Sequence, residues 1–356
     1  MQTFVRPLLI AASTLAPLLA VQPLFAQEPP KPAGEITLQN NFDPIGAEVH
    51  QLDQNGRAIF YIDEGPRDGR VVVFIGGAGT SLEAFQLTEF ARSSREALGL
   101  RVISVERNGF GESAFDPALG YGDYNAEILA VLAHLGVERF AVMAISGGGA
   151  YAAHLAAAVP DRVISLHLGA AVARTLPTRS DPKACASDPA EVKASSEKAV
   201  LSPKEWWAVP GSPVLVVPGW QTRAYADATR SFYIDGANEG AAALAHERLL
   251  ICGGNAVVDA AKITAPTYLY YGDADKAVTP EEMRQWQEAL PNIARATLYP
   301  DEGHTVQYRH WDQILADMAG YGDHTVVCRE GESALVPAAD VTPSEKLGIC
   351  AWHPAE

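Results

Sequence analysis

Residues 140–150, FAVMAISGGGA, are a short apolar run that ends at one serine backed by three glycines. Six apolar residues bounded by turn formers are too few for a helix and read as a buried parallel strand. The alanine-rich stretch at residues 150–158 is strongly helix-forming. A strand that turns at once into a helix needs small residues at the corner, where a side chain would strike neighbouring backbone. Ser146 therefore stands at the apex of a tight turn with a helix N-terminus behind it. Its hydroxyl is offered outward, and the N–H of Gly147 and the helix dipole face any oxyanion formed when Ser146 attacks a carbonyl.

This is a nucleophile elbow that departs from G-x-S-x-G at one place, with Ala144 where the first glycine is usual. The rest of the chain supplies the context that such a motif needs. The 356 residues are 48% hydrophobic and 20% charged, enough for one large core with an insertion. Residues 1–26 carry a single charge, Arg6, then an apolar stretch at residues 8–20, and Phe25-Ala26 precedes a polar, proline-rich run. That layout reads as a cleavable signal peptide cut near Ala26. Pro7, Pro17 and Pro23 oppose a lasting membrane helix, so no stable membrane insertion is expected. The expected location is periplasmic or secreted.

The four cysteines, Cys185, Cys252, Cys328 and Cys350, lack the close spacing of a metal site or redox pair. In an exported chain they read as two disulfides. Order along the chain suggests Cys185–Cys252 and Cys328–Cys350, one of three possible pairings. A formal charge of −16 makes nucleic acid an improbable partner; the expected partner is a small acyl substrate, with no metal and no cofactor.

After a lead-in at residues 27–46, strands are expected at residues 48–53, 57–63 and 71–75, with a turn at Gln54-Asn55-Gly56. The chain then alternates helix near 82–98, strand 102–105, helix near 124–135, strand 140–145, helix to 159 and strand 163–168. Strands separated by helices of this length imply right-handed crossovers and a parallel sheet covered on both faces. Residues 174–263 break the alternation, are richer in Ser, Pro, Trp and charge, and read as an inserted lid. Strand 267–271, helix 280–290, strand 295–299 and a helix near 306–318 complete the core. The body thus comprises residues 47–173 and 264–320, and residues 321–356 read as a loop-rich tail held by a disulfide.

A serine hydroxyl needs a base, and the base needs a carboxylate to fix its tautomer. Gly272-Asp273-Ala274-Asp275 and Gly303-His304 each follow a late strand, so both loops emerge at the carboxyl edge of a parallel sheet, where Ser146 also lies. Ser146, Asp275 and His304 are the expected triad, in the order Ser, acid, His, with Asp273 as rival acid. The glycine-rich loop at residues 75–80 is expected to supply a second oxyanion donor, the N–H of Gly77, beside that of Gly147. It lacks both the dinucleotide fingerprint and the P-loop lysine. Trp206, Trp207, Trp220, Phe232 and Tyr233 are candidates for an apolar acyl pocket or for lid core.

With these residues in view, the chain resembles the α/β-hydrolase superfamily over most of residues 48–318. Glu106-Arg107-Asn108-Gly109-Phe110-Gly111-Glu112-Ser113 is similar to that family's D-R-x-G-x-G-x-S turn, with Glu106 in place of aspartate, and Ile75 stands where many members carry histidine. The resemblance implies a mostly parallel eight-stranded sheet with helices on both faces and an inserted lid. Members with an aspartate nucleophile include epoxide hydrolases and haloalkane dehalogenases, which Ser146 disfavours. The expected activity is cleavage of a carboxylic ester through an acyl-enzyme. A prolyl-type aminopeptidase is the alternative, with Glu205, Asp227, Asp235, Glu239 and Glu247 available to hold an amine, and a non-enzymatic binding protein is a third reading.

Overall fold

The computed structural model describes residues 31–32, 36–38, 47–178, 183–201 and 241–353. The signal-peptide reading of residues 1–26, most of the lead-in, and the lid residues Glu205, Trp206, Trp207, Trp220, Asp227, Phe232, Tyr233, Asp235 and Glu239 lie outside them. Eight strands form one sheet: β1 (Val49–Gln54), β2 (Arg57–Glu64), β3 (Arg70–Ile75), β4 (Leu100–Val105), β5 (Phe140–Ile145), β6 (Val163–Gly169), β7 (Thr267–Gly272) and β8 (Ile293–Tyr299). Their order is β1-β2-β4-β3-β5-β6-β7-β8. β1 and β2 form an antiparallel edge hairpin, β2 runs antiparallel to β4, and every pairing from β4 to β8 is parallel.

The hairpin turns through Asn55 and Gly56 with φ of 52° and 85°, the left-handed pair that matches the twist of its strands. The central strands are apolar at nearly every position because both sheet faces are buried. Val71, Val73 and Ile75 of β3 and Val142 and Ala144 of β5 join the cluster beneath α2 (Tyr121–His134) and α3 (Gly148–Ala158). Val72, Phe74, Ala141, Met143 and Ile145 join the opposite cluster with Phe85, Phe90 and Trp311. A period of two thus divides each continuous apolar run between two cores.

Two of the expected helices differ in form. Residues 82–98 begin as a 3-10 helix, Leu82–Ala91, and become α-helical only in α1 (Arg92–Ala97). Buried positions are so frequent in the first part that the tighter winding puts Phe85, Leu87, Thr88 and Phe90 all inside. The expected helix at 306–318 divides at His310 into a short turn, Val306–Arg309, and a helix, Trp311–Met318.

The tail departs further from expectation. Instead of loop, strands His324–Arg329, Glu332–Pro337 and Lys346–Leu347 form a three-stranded antiparallel sheet. Its hairpin turns at Glu330 and Gly331 with φ of 53° and 86°, repeating the geometry of the first hairpin. Cys328 on its first strand is bonded to Cys350, and Cys185 is bonded to Cys252. Among the described residues no helix is long and apolar enough to cross a membrane.

Candidate active site

Ser146 has φ of 50°, a left-handed conformation that costs a non-glycine residue about 1–3 kcal/mol. The surroundings hold it there. Its N–H donates to the Gly169 carbonyl at 3.2 Å, and its carbonyl accepts from Gly149 at 3.1 Å and Val172 at 2.8 Å. The glycines after it are required by close approach. A Cβ on Gly147 would meet Ala78 backbone nitrogen at 2.7 Å, one on Gly148 the Ile75 and Gly76 carbonyls at 2.6 Å, and one on Gly149 the Val172 carbonyl at 2.5 Å. The elbow is wedged between the loops that follow β3 and β6.

His304 Nε2 lies 3.0 Å from Ser146 Oγ, and His304 Nδ1 lies 2.8 Å from Asp275 Oδ2. Three residues separated by up to 158 positions are thus brought into one hydrogen-bonded row. The Asp275 carboxylate is fully enclosed, and its other oxygen accepts from the N–H groups of Ala277 at 2.8 Å and Val278 at 3.0 Å. Asp273 is placed differently. Its carboxylate accepts from the Asp301 N–H at 2.7 Å, while the N–H groups of Asp273 and Ala274 donate to the carbonyls of Tyr299 and Glu302. The rival acid ties the loop after β7 to the loop after β8, which aligns Asp275 with His304.

Gly77 lies against Ser146: a Cβ added to it would sit 3.4 Å from Ser146 Cβ. The loop that carries it is gripped by a side chain from the next turn. Arg107, 3% exposed, donates to the carbonyls of Gly76 at 2.7 Å, Gly77 at 2.6 Å and Thr80 at 2.8 Å. Its Nε lies 3.0 Å from Glu247 Oε1, and the other Glu247 oxygen accepts from the Gly79 N–H at 2.8 Å. Glu247 comes from the helix Ala242–Leu250, inside the inserted region. It was a candidate for holding a substrate amine; the structure engages it with Arg107 and the glycine loop instead. Glu106, in the same turn, accepts from the Leu82 and Arg107 N–H groups, and burial pushes its carboxyl up to about 8.

A cleft of about 510 Å³ opens over Ser146 and His304. Ala150, Tyr151, Val172, Val278, Tyr121 and Ile251 give it an apolar wall, and Val192 and Ser195 of α4 (Pro189–Leu201) line it from the inserted region. Arg174 and Arg248 also border it. Glu247, named from the sequence, also borders it, whereas Arg174 and Arg248 were not read from sequence, because nothing in a single polar-rich insertion shows which residues turn inward. Among the described residues no three His, Cys, Asp or Glu side chains gather as metal ligands.

The family model described as "Alpha/beta hydrolase family" matches residues 72–317, more than two thirds of the chain. The chain belongs to the alpha/beta hydrolase family. This hydrolase is 26% identical over 287 residues to a non-heme haloperoxidase of Rhodococcus erythropolis, covering 75% of this chain and 96% of the relative. Solved structures with the same fold include a carboxylesterase of the thaumarchaeon Nitrososphaera gargenis, at TM-score 0.57 and 16% identity over 76% of this chain and 97% of that one. A Vigna radiata epoxide hydrolase aligns at TM-score 0.58 and 17% identity over 77% and 97%. At these identities the likeness to the solved structures carries the fold of the hydrolase and leaves its substrate to its own residues.

Proposed function

We propose that the chain is an exported carboxylic-ester hydrolase that works through an acyl-enzyme on Ser146. The observation that carries this reading is the row Ser146 Oγ, His304, Asp275, with contacts of 3.0 and 2.8 Å at the head of a strained turn. Asp275 holds the His304 tautomer that leaves Nε2 able to take a proton. His304 removes the Ser146 proton as Oγ attacks the ester carbonyl, and the developing oxyanion is received by the N–H groups of Gly77 and Gly147. His304 then gives that proton to the departing alcohol. Water, deprotonated by His304, attacks the acyl-Ser146 carbonyl and releases the acid with Ser146 restored.

A serine nucleophile separates this reading from hydrolysis of epoxides by an aspartate, and the engagement of Glu247 removes one carboxylate from the aminopeptidase alternative. The two disulfides are in keeping with an oxidising compartment, and the charge distribution of residues 1–26 with a cleaved leader. The test is a panel of p-nitrophenyl esters and Pro-p-nitroanilide on oxidised protein and on Ser146→Ala. Ester turnover that disappears in the variant is the expected result; proline release without ester turnover would replace the reading with a peptidase.

A further inference from the structure

Among the described residues, one arginine on the wall of the cleft above Ser146 has no carboxylate at ion-pair distance. Two of its border charges have partners: Glu247 meets Arg107 at 3.0 Å, and Arg174 meets Glu282 at 3.3 Å. Arg248 is different. Its Nη1 donates to the hydroxyls of Ser195 at 3.2 Å and Ser196 at 2.9 Å, and among the described residues no carboxylate lies within ion-pair distance of it. Hydroxyls orient a guanidinium and leave its charge in place. Glu191, the remaining charged group on the wall, is exposed. Burial and the neighbouring Arg174 charge push the Arg248 guanidinium down from its ordinary value, outweighing the opposite influence of Glu247.

In a chain with a formal charge of −16, this partly buried arginine is held, among the described residues, by two serine hydroxyls on the wall of the cleft that contains Ser146. An arginine fork matches a carboxylate in geometry and charge. We propose that Arg248 receives a carboxylate carried by the substrate, so that the preferred substrates are esters with a carboxylate set away from the scissile carbonyl. This rests on the ester-hydrolase reading and adds the chemical class of its substrate. The apolar wall of Val172, Val192, Ile251 and Val278 receives the methylenes between the two groups.

The experiment compares mono-p-nitrophenyl glutarate with p-nitrophenyl valerate, two acyl chains of equal length that differ in the terminal carboxylate. The full-length oxidised protein, Arg248→Gln and Arg248→Lys are assayed, with circular dichroism to establish folding. The ratio of kcat/KM for the glutarate ester to that for the valerate ester is expected to fall about 10- to 100-fold in Arg248→Gln. Arg248→Lys, which keeps the charge, recovers part of it. In parallel, calorimetry measures glutarate binding to Ser146→Ala and to the same protein carrying Arg248→Gln, with binding expected only in the first. A wild-type preference for the valerate ester, or a ratio unmoved by either substitution, would overturn the inference. If no ester is turned over at all, the hydrolase reading fails, and glutarate binding that depends on Arg248 still upholds an anion site where its absence dismisses one.

Discussion

The Arg107 guanidinium and the Glu247 carboxylate meet at 3.0 Å in the interior, and together they hold three carbonyls and one N–H of the loop that contains Gly77. One partner belongs to the core turn after β4 and the other to the inserted region, so the shape of the Gly77 loop, the proposed oxyanion loop, depends on both. Removing Glu247 leaves a buried, unpaired arginine, a change that costs about 3–5 kcal/mol. Glu247→Ala is expected to lower the melting temperature and to reduce kcat more than it raises KM, since the loop acts on the transition state. Melting curves and steady-state kinetics on short esters check both. A KM effect alone would show that the pair shapes binding and leaves the oxyanion loop undisturbed.

The two acids of the loop after β7 are separable by substitution. Asp275→Asn keeps the shape but favours the wrong imidazole tautomer, and kcat is expected to drop by about 10⁴. Asp273→Asn loses one charge-assisted bond to the Asp301 N–H and is expected to cost less than about tenfold. Parallel kcat measurements decide the assignment; the opposite order would make Asp273 the orienting acid.

Cys185–Cys252 closes a loop of 67 residues that contains most of the inserted wall of the cleft, including Val192, Glu247, Arg248 and Ile251. Chain-entropy arguments assign such a bridge about 4 kcal/mol. Replacing both cysteines by serine is expected to raise KM and to speed limited proteolysis between residues 185 and 252 while the sheet remains folded. Kinetics together with the masses of the proteolytic fragments test this, and cleavage within residues 47–173 as the first event would contradict it.

Glu106 gives a pH dependence of defined sign. Its carboxyl is raised from 4.5 to about 8 by burial, so the folded protein keeps a proton that the unfolded chain releases. The stability this group contributes is complete below pH 4.5 and is lost as pH rises to about 8, with a limiting slope of about 1.4 kcal/mol per pH unit. Glu106→Gln is neutral throughout and keeps an acceptor for the Leu82 N–H. Denaturant unfolding at several pH values is therefore expected to show wild type losing ground to this variant as pH rises across that interval. Parallel profiles for the two would contradict the raised value.

Legibility followed the range of the interactions. The strands at residues 140–145 and 71–75 announced themselves because burial on two faces leaves no room for polar residues, and the elbow because three glycines in succession have few other uses. The loops holding Asp275 and His304 were legible because each sits directly after such a strand. What escaped was set by partners distant in sequence. Glu247 pairs with Arg107 across 140 positions, and Arg248 is held by Ser195 and Ser196 of another helix. The tail hairpin was local, but Glu330-Gly331 is a weaker turn signal than the Asn55-Gly56 that marked the first hairpin.

The most direct test of the account is to trap the acyl-enzyme. Oxidised protein mixed with p-nitrophenyl acetate is quenched in acid within the first turnovers, digested and analysed by mass spectrometry. The account predicts one acetyl group on the peptide containing Ser146, lost on longer incubation and absent from Ser146→Ala. Turnover of the ester with no acetyl on that peptide, or acetylation and turnover that persist in Ser146→Ala, would contradict it.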